Sequence, residues 1–198
     1  MSLYEFSSGK QMVTGASNGE LFIWKLPDWT VESTLTGHTA GVLDVQMNEL
    51  WIASCSKDTS VRIWKRSTEE PYRVLQGHRG PVNAIQLWEN TIASASGDSV
   101  AKLWDIETGQ AIRVFKGHER GLACIQYNGE VLMTGSNDKT IRVWDPASGE
   151  CIKIFKGHKD LVRTLAFDPL RKRIFSGSYD KTWVGYVLCA MPRCLRIC

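Results

Sequence analysis

Apolar and polar residues alternate along most of the chain in runs too short for helices. Val42–Met47, Trp51–Ser54, Ser60–Trp64 and Tyr72–Leu75 are four such runs, rich in β-branched and aromatic residues. The set recurs forty residues on as Val82–Leu87, Thr91–Ser94, Val100–Trp104 and Ala111–Phe115, and again as Leu122–Tyr127, Val131–Thr134, Thr140–Trp144 and Cys151–Phe155. The last turns of these units, Asp105–Gly109 and Asp145–Gly149, end in Gly, as a hairpin with a left-handed position requires. Residues 10–35 add Met12–Thr14, Leu21–Trp24 and Val31–Leu35, with turns at Asn18–Gly19 and Pro27–Asp28; they match the last three strands of a unit whose opening strand is missing or degenerate. A fifth copy carries a longer first hairpin, Asp168–Arg173. It departs after Asp180, where Trp183-Val184-Gly185-Tyr186 replaces Ile/Val-Arg/Lys-Val/Leu-Trp.

Fixed residues mark the same period. Gly-His pairs fall at 37–38, 77–78, 117–118 and 157–158, and Trp24, Trp64, Trp104 and Trp144 keep the same step. Four antiparallel strands per forty residues, with an aromatic closing the third, is the pattern of a β-propeller blade. The Gly-His, Asp and Trp-Asp set closely resembles the WD repeat family over residues 10–182, with Lys65 in place of Asp after Trp64. The expected fold is all-β: an incomplete WD40 propeller of about four to five blades. Its parts are a lead at 1–9, a partial blade at 10–35, blades at 36–75, 76–115 and 116–155, a partial blade at 156–182, and a divergent tail at 183–198. About seven blades would need roughly 280 residues, so the chain reads as a fragment, or as a splice or frame variant, with open strand edges that favour self-association.

Composition narrows the function classes. At 198 residues and 43% apolar content the chain can bury a core. The net charge is +3, of which Arg193 and Arg196 supply two, so the body is near neutral and no nucleic-acid partner is expected. Neither a signal peptide nor a membrane span is legible, which points to the cytoplasm or nucleus. Cys55, Cys124 and Cys151 sit in strands and Cys189, Cys194 and Cys198 crowd the tail; this is no disulfide framework, and no zinc spacing is present, so no metal or cofactor is expected.

Each unit also carries a His, a Ser or Thr, an Asp and a Trp at fixed offsets: His38, Ser54, Asp58 and Trp64; His78, Ser94, Asp98 and Trp104; His118, Thr134, Asp138 and Trp144. The fifth has His158, Ser176 and Asp180, with Tyr186 at the Trp place; the first has Thr14, Asn18 and Trp24 but no His. A catalytic Ser-His-Asp set is needed once, whereas this one recurs in every unit. The WD resemblance implies instead a buried hydrogen-bonded chain from Trp to Asp, and no enzyme.

Two loops per blade reach one rim: the segment after Gly-His and the turn before Asp. They present Lys57, Asn83, Arg120, Gly121, Ala123, Asn137, Leu161, Arg163 and Tyr179, with Asp160 as an acidic exception. Lys57, Arg120 and Arg163 suit carboxylate or phosphate, although the same residues would serve equally as a solvated rim. The stretches 117–127, 77–85, 55–58 and 161–163 resemble the F-box/WD substrate receptors of SCF ubiquitin ligases, in the β-transducin-repeat-containing branch. That resemblance implies a doubly phosphorylated degron held at these rim positions, with Asn137 standing where Ser is expected, and a chain lacking its F-box. The partners implied are other proteins and phosphorylated peptides; the alternative is a generic WD scaffold with no phosphate dependence.

Overall fold

The computed structural model describes residues 3–5 and 11–188; Cys189, Arg193, Cys194, Arg196 and Cys198 lie outside them. The described chain is strand and turn, without a helix, in five antiparallel sheets. The first sheet holds β1 (Leu3–Glu5), β2 (Gln11–Gly15), β3 (Leu21–Lys25) and β4 (Thr30–Leu35). The second holds β5 (Val42–Met47), β6 (Trp51–Ser56), β7 (Val61–Lys65) and β8 (Pro71–Leu75). The third holds β9 (Val82–Trp88), β10 (Thr91–Ser96), β11 (Val100–Asp105) and β12 (Ala111–Lys116). The fourth holds β13 (Leu122–Tyr127), β14 (Leu132–Ser136), β15 (Ile141–Trp144) and β16 (Cys151–Phe155). The fifth holds β17 (Val162–Asp168), β18 (Arg173–Ser178) and β19 (Trp183–Val187).

The opening strand of the first unit, expected to be missing or degenerate, is present in short form: β1, three residues inside the expected lead, pairs with β2 through Leu3–Thr14 and Glu5–Met12. The departure at Trp183 does not break the fifth sheet either. β19 pairs with β18 so that Tyr186 lies opposite Ile174, just as Trp144 lies opposite Leu132 and Trp104 opposite Ile92. Backbone pairing follows strand register, and an aromatic at this position keeps it.

The core lies between sheets rather than within them. Val13, Leu21 and Ile23 of the first sheet pack against Val45, Ile52 and Trp64 of the second. Ala53, Val61 and Ile63 meet Ile85, Ile92 and Trp104 of the third, and Ala93, Ala101 and Leu103 meet Ile125, Leu132 and Trp144 of the fourth. Met133, Ile141 and Val143 then meet Leu165 and Ile174 of the fifth, with Tyr186 alongside. Each of the three inner sheets therefore buries one face on the sheet before it and the other on the sheet after it, as stacked repeats do. Among the described residues no comparable core joins the fifth sheet to the first. The architecture is that of an incomplete β-propeller.

Candidate functional site: one rim of the sheets

The loop after each Gly-His pair folds back over the turn before the corresponding Asp. Turn amides donate to loop carbonyls at the same place in four sheets: Lys57 to Gly41, Gly97 to Pro81, Asn137 to Gly121 and Tyr179 to Leu161, at 2.8–3.0 Å. These bonds bring the two predicted loop types together at one end of the sheets. A serine that sequence reasoning missed adds a second tie. Ser56, Ser96, Ser136 and Ser178 each donate their hydroxyl to a loop carbonyl and accept the amide of the Asp two residues on. Their signal was available, since every one stands two positions before Asp.

Beneath the rim lies the network. The His Nε2 is 2.8 Å from the hydroxyls of Ser54, Ser94, Thr134 and Ser176. Its Nδ1 is 2.7, 2.9, 2.6 and 2.9 Å from Asp58, Asp98, Asp138 and Asp180. Trp104 and Trp144 donate Nε1–H to Ser94 and Thr134 at 2.8 and 2.9 Å. The carboxylates only accept, and each hydroxyl has one hydrogen, so one arrangement satisfies every member. Indole N–H donates to the hydroxyl oxygen, the hydroxyl donates to Nε2, and Nδ1–H donates to Asp. In the first sheet Trp24 reaches Thr14 at 2.9 Å, with no His beyond it. In the fifth, Tyr186 stands opposite Ile174 at the place of the indole, with its ring 4.5 Å from that of Phe155. The Gly before each His leaves room for this packing: a Cβ on Gly117, at φ 153°, would lie 2.7 Å from an Arg142 guanidinium nitrogen and 3.3 Å from the Trp144 ring.

Ser54, Ser94 and Thr134 are fully buried, with their oxygens already engaged in the network. This supports reading the recurrent set as structural. Burial lowers the pKa of His38, His78 and His118 against the pull of the facing aspartates, which keeps the rings neutral. Burial opposes ionisation of Asp58, but hydrogen bonds from Ser60, His38 and Thr39 outweigh it and hold the carboxyl at about 2; Asp98 and Asp138 are also lowered. Both shifts act in the same direction on stability. As pH falls below 6.5, the unfolded chain takes up protons on these histidines that the folded chain refuses. Below 3.8 the same holds for the aspartates. The melting temperature at constant ionic strength is expected to fall from pH 7 to pH 5, and again below pH 4. A flat profile from pH 7.5 to 5 would contradict this neutral-histidine assignment.

The nine rim candidates divide into groups. Lys57, Arg120, Asn137 and Tyr179 are exposed in the loops, and Gly121 and Leu161 are half-buried beside them. Asn83, Ala123 and Arg163 instead line a groove formed by the inner strands β5, β9, β13 and β17. Asn83 donates to the Leu122 carbonyl at 2.7 Å and Arg163 to that of Ala123 at 3.1 Å, while Ala123 is nearly buried. Asp160 accepts the Leu161 amide through its own side chain. In the same groove Gln46, Gln86 and Gln126 form an amide ladder at 3.3 Å, which the sequence reading passed over. Among the described residues no group of three His, Cys, Asp or Glu could hold a metal, and no helix is long and apolar enough to cross a membrane.

A family model described as "WD domain, G-beta repeat" matches residues 29–65, 69–105, 109–145 and 149–184. Each match begins just before the outer strand of one sheet and ends in, or one residue past, the third strand of the next, so the sequence repeat straddles two sheets. The comparison with curated proteins gave no match.

Proposed function

Since this chain belongs to the WD domain, G-beta repeat family, a family of protein-interaction scaffolds, we propose that its rim receives a phosphorylated or acidic peptide. Lys57, Arg120 and Arg163 carry the charge recognition, while Asn83, Asn137 and Tyr179 add hydrogen-bonding groups. Gly121 leaves space for a peptide backbone above Ala123 and beside Leu161. In this reading the chain is the substrate-recognition part of an SCF-type ubiquitin ligase receptor.

The observation that carries the proposal is the backbone tie between the two loop types in four successive sheets. It supports the reading because the exposed Lys57 and Arg120 stand on loops tied at the same end of two different sheets, held by a rigid scaffold. Arg forks pair with phosphate bidentately, and Arg clusters are a recurrent solution for acidic motifs. The test is a pull-down on the immobilised chain from lysate divided in two, one half treated with phosphatase. Acidic phosphoproteins recovered only from the untreated half are the expected result. A stable complex insensitive to phosphatase would replace this reading with that of a scaffold without phosphate dependence.

A further inference from the structure

The first four sheets end on an outer strand, β4, β8, β12 or β16, whereas the fifth runs only β17-β18-β19 among the described residues. Three of the outer strands share one reading: Tyr72-Arg73-Val74-Leu75, Ile112-Arg113-Val114-Phe115 and Ile152-Lys153-Ile154-Phe155. Each is apolar, basic, apolar, then Leu or Phe. They also share one register, with Leu75 opposite Val61, Phe115 opposite Ala101 and Phe155 opposite Ile141. The three residues opposite are fully buried, packed against the following sheet as well as beside their own outer strand.

In β19 that covered position belongs to Trp183. It pairs with Gly177 as Ile141 pairs with Gly135, yet it is 76% exposed where Ile141 is 0%. Val187, at the other end of the strand, is 58% exposed. A free strand edge offers a row of unpaired amides and carbonyls, a ready template for one more strand. Here that edge also presents an indole, Trp183, whose counterparts in the inner sheets lie between the outer strand and the following sheet.

We propose that the free edge of β19 is a strand-accepting site for an extended peptide segment supplied by a partner, reading apolar–basic–apolar–Phe or Leu. The segment adds antiparallel, with its Phe or Leu opposite Trp183 and its basic residue opposite Gly185, the register that β8, β12 and β16 take on their own neighbours. Main-chain bonds supply the affinity and the Trp183 contact supplies the choice of sequence. The chain's own residues 194–198, Cys-Leu-Arg-Ile-Cys, share the apolar–basic–apolar pattern but end on Cys in place of Leu or Phe. The site is independent of the rim described above.

The test uses the full chain and a labelled peptide with the sequence of residues 109–118, GQAIRVFKGH, followed by fluorescence anisotropy. Saturable binding is expected. It should weaken roughly tenfold or more for the Trp183→Asp chain, and likewise for a peptide carrying Phe115→Asp, while Trp183→Phe retains it. Trp183 is largely exposed, so the Trp183→Asp chain should melt as the parent does, and the melt is recorded alongside. Equal affinity for a scrambled peptide, or affinity unchanged in Trp183→Asp, overturns the proposal. So does binding that emerges only when Leu195→Asp and Ile197→Asp are introduced into the full chain, because the chain's own residues 194–198 would then hold the edge. Self-association that the peptide competes away would assign the edge to a second copy and overturn it as well.

Discussion

Replacing Trp144 by alanine is expected to cost about 3–5 kcal/mol, the usual range for a large aromatic removed from a packed core. Against a total stability of about 5–15 kcal/mol, that leaves the fourth sheet near its unfolding limit. Two effects combine. The ring is 1% exposed and packs into the core shared with the third sheet, beside Phe115 at a centroid distance of 5.7 Å. Its indole N–H also donates to Thr134, which is hydrogen-bonded to His118 and through it to Asp138. Trp144→Phe separates the two. It keeps most of the apolar volume but leaves the Thr134 oxygen one donor short, which should cost about 1–3 kcal/mol. Trp88→Ala, at a position 41% exposed, is the control and should change little. The measurement is urea unfolding followed by the free energy of the transition. If Trp144→Ala proves no more costly than Trp88→Ala, the network does not hold the sheet.

The same reasoning ranks the sheets. The second, third and fourth have a buried Trp and a His at the head of the chain of bonds. The first has Trp24 and Thr14 but no His, and its indole is only half-buried. The fifth substitutes Tyr186 and lacks a following sheet, so Phe175 is 39% exposed at a position where Val13, Ala53, Ala93 and Met133 are fully buried. Local opening should therefore start at the two ends of the arc and reach the third sheet last, because terminal repeats have one neighbour and inner repeats two.

This gradient also separates what was legible in the sequence from what was not. Strand positions and the His, Ser/Thr and Asp offsets were legible because they repeat, and a repeat shows a pattern in several independent copies. β1 was not: Leu3–Glu5 is three residues long, has no Gly-His before it, and makes sense only through its pairing with β2. β19 was obscured by Trp183 and Gly185, although its register depends on the backbone and on Tyr186 alone among the motif residues. The exposed rim could be nominated from loop positions. That Asn83 and Arg163 each spend a donor on an inner-strand carbonyl could not, since those bonds link residues thirty-nine and forty apart in the chain. Pairwise contacts between sheets leave no periodic trace when their two ends differ in residue type.

Those bonds shape the second large expected effect, on phosphopeptide affinity. Arg120→Ala together with Arg163→Ala should weaken binding of a doubly phosphorylated peptide substantially, with each lost charge-assisted bond worth about 1.5–3 kcal/mol. A tenfold change in dissociation constant corresponds to about 1.4 kcal/mol, so each single variant should fall at least about tenfold. The two losses should add where the arginines meet separate phosphates and fall short of additivity where they share one. Arg163 needs its own control. One of its N–H groups already bonds the Ala123 carbonyl, so its removal also loosens the contact between β17 and β13. Arg163→Lys keeps the charge without the fork. A loss in Arg163→Lys close to that in Arg163→Ala, at an unchanged melting temperature, would mean that fork geometry, not charge alone, carries recognition. Affinity should also decline with added salt, because an exposed Arg120 is screened within about 8–10 Å at 0.1–0.15 M. If the double variant binds phosphorylated and unphosphorylated peptide exactly as the parent does, these cations are ordinary solvated rim residues and the rim assignment fails.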